Sequence, residues 1–256
     1  MKKGILVYTK EDAEINKWFI SHITEELKSK GVELKLLIYG EKLPENIDFC
    51  INRSRFSDIN KELEKKGIRC FNNGKTVEIA NDKWETYKLC KALSVPVMET
   101  KEGTCFETEE LPFVLKSKDG HGGSEVMLIT ERKIPVPDIE RYIVQKVSSE
   151  KGLDVRVYVL GENAVAAVKR TSEHDFRSNF SLGGRVELFT PEKEQLNIIK
   201  KLQAELKADY AGFDFIMHNG KWVLNEIEDA VGARMLYSLA DFDIVKEYAA
   251  YIAERL

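Results

Sequence analysis

The chain has little of several things that would otherwise direct its chemistry. Its 256 residues include only four cysteines, four histidines and six prolines. Cys50, Cys70, Cys90 and Cys105 stand 15 to 20 residues apart, with no CxxC pair and no closely set histidine to complete a zinc site. They read as reduced, buried thiols. The short apolar run Gly4-Ile5-Leu6-Val7-Tyr8 is too brief for a membrane span or the apolar part of a secretion signal, so a cytoplasmic location without a membrane partner is expected. Charge of one sign is not in excess either: 39 basic and 43 acidic residues leave a net charge of −4. A mildly acidic chain without a basic tail lacks the clustered cations that grip a phosphodiester backbone, so no nucleic-acid partner is expected. Repeats, low-complexity tracts and long linkers are missing as well.

What the chain contains is a series of short elements. Ile5 to Tyr8 predicts a strand, followed by an amphipathic helix with Ile15, Phe19, Ile23 and Leu27 on one stripe and Gly31 just past its end. Val32 to Tyr39 predicts a second strand, and Ile47 to Ile51 is another apolar run, so the opening reads as a small α/β layer. Asp82 with Glu85 three positions later gives a capping-box pattern for a helix that carries Trp84, Tyr87, Cys90 and Leu93 and stops at Pro96. Strands are predicted at Phe113 to Lys116, Glu125 to Ile129, Tyr142 to Val147, Val155 to Leu160 and Ala164 to Val168. A helix is expected from Thr190-Pro191-Glu192, with Thr190 as cap, Pro191 at its first position and Leu196, Ile199, Leu202 and Leu206 buried. Phe213 to Glu228 predicts a hairpin turning at Asn219-Gly220, and a last helix from about Asp241 turns Phe242, Val245, Ala249 and Ile252 inward.

Three clusters could carry chemistry. The loop Lys118-Asp119-Gly120-His121-Gly122-Gly123-Ser124 brings backbone amides close to an anion without intervening side chains. It matches neither standard phosphate-loop pattern and lies between two strands, so a ligand-free glycine hairpin is the competing reading. Lys116 and Lys83 could place ammonium groups beside a phosphate or be solvated surface lysines. The second cluster is Asp214, Glu226 and Glu228. Strand alternation puts Glu226 and Glu228 on one face, and carboxylates so gathered repel one another unless a cation sits among them. A two-residue turn at Asn219-Gly220 sets Asp214 opposite Asn225, whereas a three-residue loop sets it opposite Glu226, so a metal site requires the odd-numbered loop. Oxygen donors without His or Cys favour Mg or Mn; a solvated acidic face is the alternative. The third cluster, Lys169-Arg170 with Asp175-Phe176-Arg177-Ser178-Asn179 and Gly183-Gly184, could hold an acyl phosphate or a carboxylate through forked hydrogen bonds, or form surface ion pairs.

In order and spacing these segments resemble the RimK-like carboxylate–amine ligases of the ATP-grasp superfamily. Asn81-Asp82-Lys83, Phe113 to Lys116 with its glycine loop, Val144-Gln145-Lys146-Val147, Gly152-Leu153-Asp154-Val155-Arg156, Ala211-Gly212-Phe213-Asp214 and Asn225-Glu226-Ile227-Glu228 carry the resemblance, with the third cluster between them. It implies an α/β and α+β chain with the ATP-grasp fold: a small Rossmann-like pre-domain over residues 1–80, a central subdomain with the lid loop over 81–147 and a C-terminal subdomain with the metal hairpin over 148–256. It further implies that Lys83, Lys116, Gly120, Gly122, Gly123, Ser124, Gln145, Lys146, Val147, Asp154 and Arg156 bind ATP, and that Asp214, Glu226 and Glu228 hold Mg or Mn. Arg177, Asn179 and Arg170 would act near the transferred phosphate. The implied reaction joins a small-molecule or peptide carboxylate to an amine or amino acid, such as glutamate, through an acyl phosphate with release of ADP. Homo-oligomers are frequent among such ligases.

The chain also departs from that pattern. Glu228 stands where the family usually has Asn, and Lys146 where an acidic residue is common. Ala230-Val231-Gly232-Ala233-Arg234 replaces a Ser/Asn-rich turn with Pro-Gly that shapes the acceptor pocket. Arg234 either holds a substrate carboxylate or pairs with Glu228 or Asp229. His121 could contact phosphate or stand solvated in the lid; His22, His174 and His218 carry no distinct signal. Asn52, Arg53 and Arg55 could meet an acidic acceptor or serve the surface. These departures also motivate a rival reading, a regulatory module that binds nucleotide without transferring it.

Overall fold

The computed structural model describes residues 1–121, 125–132, 136–172 and 185–256. The first sheet is parallel, ordered β2-β1-β3-β4, with β1 Lys2–Tyr8, β2 Val32–Ile38, β3 Phe49–Asn52 and β4 Arg69–Phe71. Gly4 to Tyr8 are buried without alternation, as expected of a parallel strand covered on both faces. Helices α1 Lys10–Ile15, α2 Lys17–Ser29 and α3 Asp58–Lys65 flank it. The single amphipathic helix expected here is broken at Asn16, which caps one helix and begins the next. The break changes the helical phase, so Phe19, Ile23 and Leu27 are buried while Ile15 is 70% exposed.

Helices α4 Gly74–Ala80 and α5 Lys83–Ala92 lead to an antiparallel sheet ordered β5-β8-β6-β7. Its strands are β5 Thr100–Glu102, β6 Phe113–Ser117, β7 Val126–Ile129 and β8 Tyr142–Lys146. Asp82 caps α5 as expected, accepting from the N–H groups of Trp84 (2.8 Å) and Glu85 (3.1 Å). The Glu85 carboxylate pairs with Lys88 at 2.6 Å.

The third sheet is also antiparallel, ordered β11-β10-β9-β12-β13. It comprises β9 Leu153–Leu160, β10 Asn163–Thr171, β11 Arg185–Leu188, β12 Tyr210–His218 and β13 Lys221–Glu228. Val155, Val157, Val159, Phe213 and Phe215 pack against α6 Lys193–Leu206 in one core. The opposite face is polar and forms the site. The start expected for α6 is corrected: Glu192, not Thr190, is the cap, because the buried Gln195 reaches back to accept from the Glu192 N–H at 2.9 Å. Ile198 takes the buried place expected of Leu196, which is 41% exposed.

Two short helices, α7 Arg234–Leu239 and α8 Ile244–Ala253, close the chain. Val245, Ala249 and Ile252 of α8 join Phe19, Ile23 and Leu27 of α2 in one core, which ties the end of the chain to its beginning. Asn72 adds a polar tie. It donates to the carbonyl oxygens of Tyr210 (2.8 Å) and Asp229 (3.2 Å) and accepts from the N–H groups of Asp209 (2.6 Å) and Tyr210 (3.0 Å).

Candidate active site

The site begins with strand alternation. On β9, Asp154 and Arg156 face away from the valine side, and the register places Arg156 beside Asp214 of β12 and Asp154 beside Arg170 of β10. Arg156 donates to both Asp214 oxygens, at 2.7 and 2.6 Å, and to Glu228 Oε1 at 2.6 Å. Arg170 donates to Asp214 Oδ2 at 2.7 Å and to Asp154 Oδ1. Four of these groups, Asp154, Arg156, Arg170 and Asp214, are buried. Such charges are tolerated inside a protein only when paired and hydrogen-bonded.

The hairpin corrects one expectation. Its turn has two residues, Asn219 at φ 52° and Gly220 at φ 70°, the positive-φ pair that a tight primed turn needs. By parity alone Asp214 would then face Asn225. Instead the register shifts between Asp214 and Phe215, Asn225 becomes the extra residue of a bulge, and Asp214 pairs with Glu226. The bulge therefore does what an odd-numbered loop was expected to do. It also frees Asn225, whose Oδ1 accepts from the Lys116 ammonium at 2.8 Å.

Lys116 comes from β6 of the neighbouring sheet and Lys83 from the start of α5. Lys83 lies 3.5 Å from Glu226 Oε1 and donates to the carbonyl of Gly120. Burial brings the Lys116 ammonium down to about 8, although Glu226 pulls the other way. Burial pushes Glu228 up to about 7 against the pull of Arg156. For Asp214 burial would also raise the carboxyl, but Arg156 and Arg170 outweigh it and hold the group below the usual carboxylate range.

All of these groups line one cavity of about 390 Å³ between the second and third sheets. It brings together Lys83, Lys116, Gly120, Gln145, Lys146, Val147, Asp154, Arg156, Arg170, Asp214, Glu226 and Glu228. Gly122, Gly123, Ser124, Arg177 and Asn179 lie outside the described residues. Gln145 donates to Thr100 Oγ1 at 3.0 Å, and Lys146 pairs with Glu99 at 2.9 Å at the rim. Asn225 was missed because it acts only through the bulge; Val114 and Ile216 are lining residues whose sequence signal is that of ordinary strand positions.

The donor set suits the anionic and cationic groups of a metal–nucleotide complex. Lys116 is a buried cation whose hydrogen-bond partner is a neutral amide, the setting in which a phosphate supplies the missing charge. Glu226 and Glu228 offer oxygen donors on one face, and Glu228 is pushed up mainly by burial, with Asp214 and Glu226 adding to it. Few protein oxygens suit a magnesium that keeps waters and phosphate among its ligands. Asp214 is less available, because guanidinium groups contact both its oxygens, and among the described residues no three His, Cys, Asp or Glu side chains are gathered to hold a metal ion.

A family model, the RimK-like ATP-grasp domain, matches residues 82–252. The chain is 31% identical to the uncharacterized protein MG011 homolog of Mycoplasma pneumoniae over 249 residues, 92% of this chain and 86% of the relative. It is 27% identical to a probable alpha-L-glutamate ligase of Mannheimia succiniciproducens over 211 residues, 76% of this chain and 70% of the relative. The structure of the ATP-grasp ligase PsnB complexed with minimal precursor, Mg and ADP superposes with a TM-score of 0.70 at 18% identity, covering 99% of this chain and 97% of that one. This last likeness concerns the fold.

Proposed function

The chain belongs to the RimK-like ATP-grasp family of carboxylate–amine ligases, and from that premise we propose that it forms an amide bond at the expense of ATP. The observation that carries the reading is the Lys116–Asn225 and Arg156–Asp214–Arg170 framework, which surrounds one cavity with cations on the side of the glycine loop and carboxylates on the hairpin. Lys116 and Lys83 bind the phosphates, and the segment Gln145 to Val147 meets the base through its backbone. Glu226 and Glu228, with Asp214 beside them, hold magnesium or manganese. When bound, the metal neutralises phosphate charge as the γ-phosphoryl group moves.

The substrate carboxylate attacks the γ-phosphorus and ADP leaves, giving an acyl phosphate. An amine then attacks the acyl carbon and phosphate departs. Arg170 and Arg156 are held rigid by their carboxylate partners and present fixed positive charge to the transferring group, which is how such sites accelerate transfer without a covalent nucleophile. Arg177 and Asn179 are assigned to the same end of the reaction. The substrates are a small-molecule or peptide carboxylate and an amine or amino acid. A nucleotide-binding module without transfer is the second reading, favoured by the guanidinium contacts that occupy Asp214.

ADP release by the purified chain with ATP and Mg, against pooled amino acids and pooled carboxylates, tests the proposal. Substrate-dependent ADP that disappears in Asp214→Asn or Glu226→Gln is the expected result. Tight nucleotide binding with no ADP from any pool is the result the second reading requires.

A further inference from the structure

We propose that Arg53 is a positioning residue for amide formation. From the first sheet it sets the segment 229–233 between β13 and α7, so that the acyl phosphate meets an amine and not water. The inference rests on the ligase reading and adds a residue that does not itself touch the cavity.

The segment 229–233 belongs to no helix or strand, yet four consecutive carbonyl oxygens in it accept from side chains of other elements. Asn72, just past β4, donates to Asp229 at 3.2 Å, and the Tyr158 hydroxyl of β9 donates to Gly232 at 3.2 Å. Arg53 holds the two between them, Ala230 and Val231, both at 2.9 Å through Nη2. Peptide groups away from water need partners, and where no ladder supplies them the side chains that do so fix the path of the chain. Packing adds to the hold: Val231 is buried over Gly212, where an added Cβ would come within 2.7 Å of Val231 Cγ2. Arg53 is itself fixed. Its N–H donates to the Val7 carbonyl at 2.8 Å, its Nε donates to the Tyr8 hydroxyl at 2.6 Å, and its Cζ lies 4.2 Å from the centre of the Phe19 ring. It is buried, and among the described residues its acceptors are all neutral. A cation buried in that way costs stability, so what Arg53 contributes is the geometry of the segment it holds.

A direct meeting of Asn52, Arg53 and Arg55 with an acidic acceptor, open from the sequence, is not what the structure shows. Asn52 donates to the Phe56 carbonyl at 2.8 Å and to Asn60, and Arg55 pairs with Asp12. Among the described residues none before Lys83 lines the cavity, so the first sheet acts on the site through Arg53 and the segment it holds. That segment leads into Gly232, Arg234 and Met235, which line the cavity beside Arg156 and Glu228. The carboxylates ahead of it are set independently, because Glu228 pairs with Gly212 across the sheet and accepts from Arg156 at 2.6 Å. Loosening Arg53 therefore leaves nucleotide and metal in place and moves the wall. The second half of the reaction is the sensitive one. Attack of an amine on the acyl carbon gives amide and phosphate, whereas attack of water returns the carboxylate with phosphate and leaves one ATP consumed without amide. A displacement of about 1 Å is enough to misplace the amine, and a closed wall keeps water from the intermediate.

The test counts ADP and amide in the same reactions of the full chain, as wild type, Arg53→Met, Arg53→Lys and Tyr8→Phe, with the substrates found by the ADP-release screen. ADP release with ATP and Mg alone, and ADP affinity by calorimetry, are measured beside it. Wild type should form one amide per ADP. Arg53→Met should keep ADP affinity within about twofold, while amide per ADP falls about tenfold and ADP release to water alone rises. Arg53→Lys keeps the charge without the fork and should recover part of the ratio. Tyr8→Phe removes only a support of Arg53 and should lie between wild type and Arg53→Met; these two variants decide the matter if Arg53→Met does not fold. A purely structural loss lowers ADP and amide together and leaves their ratio alone, so variants that bind ADP and keep the wild-type ratio overturn the proposal. A wild type that forms no amide counts against the ligase reading instead, and ADP release to water that is then unchanged in the variants overturns the role of Arg53.

Discussion

The Lys116 ammonium donates to Asn225 Oδ1 at 2.8 Å, and Asn225 is the residue that the β13 bulge adds opposite Asp214. One backbone irregularity thus sets the alignment of the hairpin carboxylates and the partner of the buried lysine. Asn225→Asp would replace a neutral acceptor with a carboxylate that neutralises Lys116. Affinity for ATP in calorimetry should then fall about tenfold or more, and more than in Asn225→Ala, which leaves the ammonium unmatched.

Burial brings Lys116 down to about 8, so its charge is lost within an accessible pH range. Only the charged form attracts phosphate. ATP affinity should therefore decline as pH rises through about 8, and Lys116→Arg, which stays charged, should flatten the decline between about pH 7 and 9.5. A wild-type affinity constant across that window would contradict a phosphate role for Lys116.

Arg156 spans Asp214 and Glu228. Among the described residues Arg156→Met leaves Asp214 with Arg170 alone and Glu228 with no ion pair, and should lower unfolding free energy by about 3–5 kcal/mol. Adding Asp214→Leu to that variant should recover part of the loss, because removing both members of a buried pair costs less than stranding one. Chemical denaturation of the two variants measures the difference.

Asp209 is buried and its Oδ2 has no hydrogen-bond partner among the described residues. Burial pushes it up to about 6 despite Arg69 and Tyr251. A folded-state value above the unfolded one, about 3.9, means that the folded chain holds the proton more firmly. The contribution of Asp209 to stability therefore declines as pH rises from about 4 to about 6, by on the order of 3 kcal/mol. The stability of wild type relative to Asp209→Asn should follow that decline and level off above about 6.

Local pattern made the strands and the hairpin carboxylates legible, whereas Asp154 and Arg156 were marked by the family resemblance. Asp154, Arg156, Asp214 and Glu226 sit at alternating positions within recognisable strands, and Asp82 caps its helix as a short-range signal should. The bulge at Asn225 was not legible: the pattern places the turn at Asn219-Gly220 but leaves its length open between two and three residues, and parity counted from the two-residue turn that forms gives the wrong partner for Asp214. The break at Asn16, which leaves Ile15 in solvent, hides inside an unbroken amphipathic pattern. The clamp of Arg53 on Ala230 and Val231 joins residues 177 and 178 positions apart, and no local signal announces such a contact.

The most direct test of the ligase account uses a carboxylate substrate, found by the ADP-release screen, labelled with 18O in both carboxyl oxygens. Attack of that carboxylate on the γ-phosphorus followed by amine substitution must leave one labelled oxygen in inorganic phosphate and one in the amide product. Mass spectrometry should find one 18O per phosphate released, with ADP and amide in equal amounts. Unlabelled phosphate, or ADP formed without amide, would contradict it.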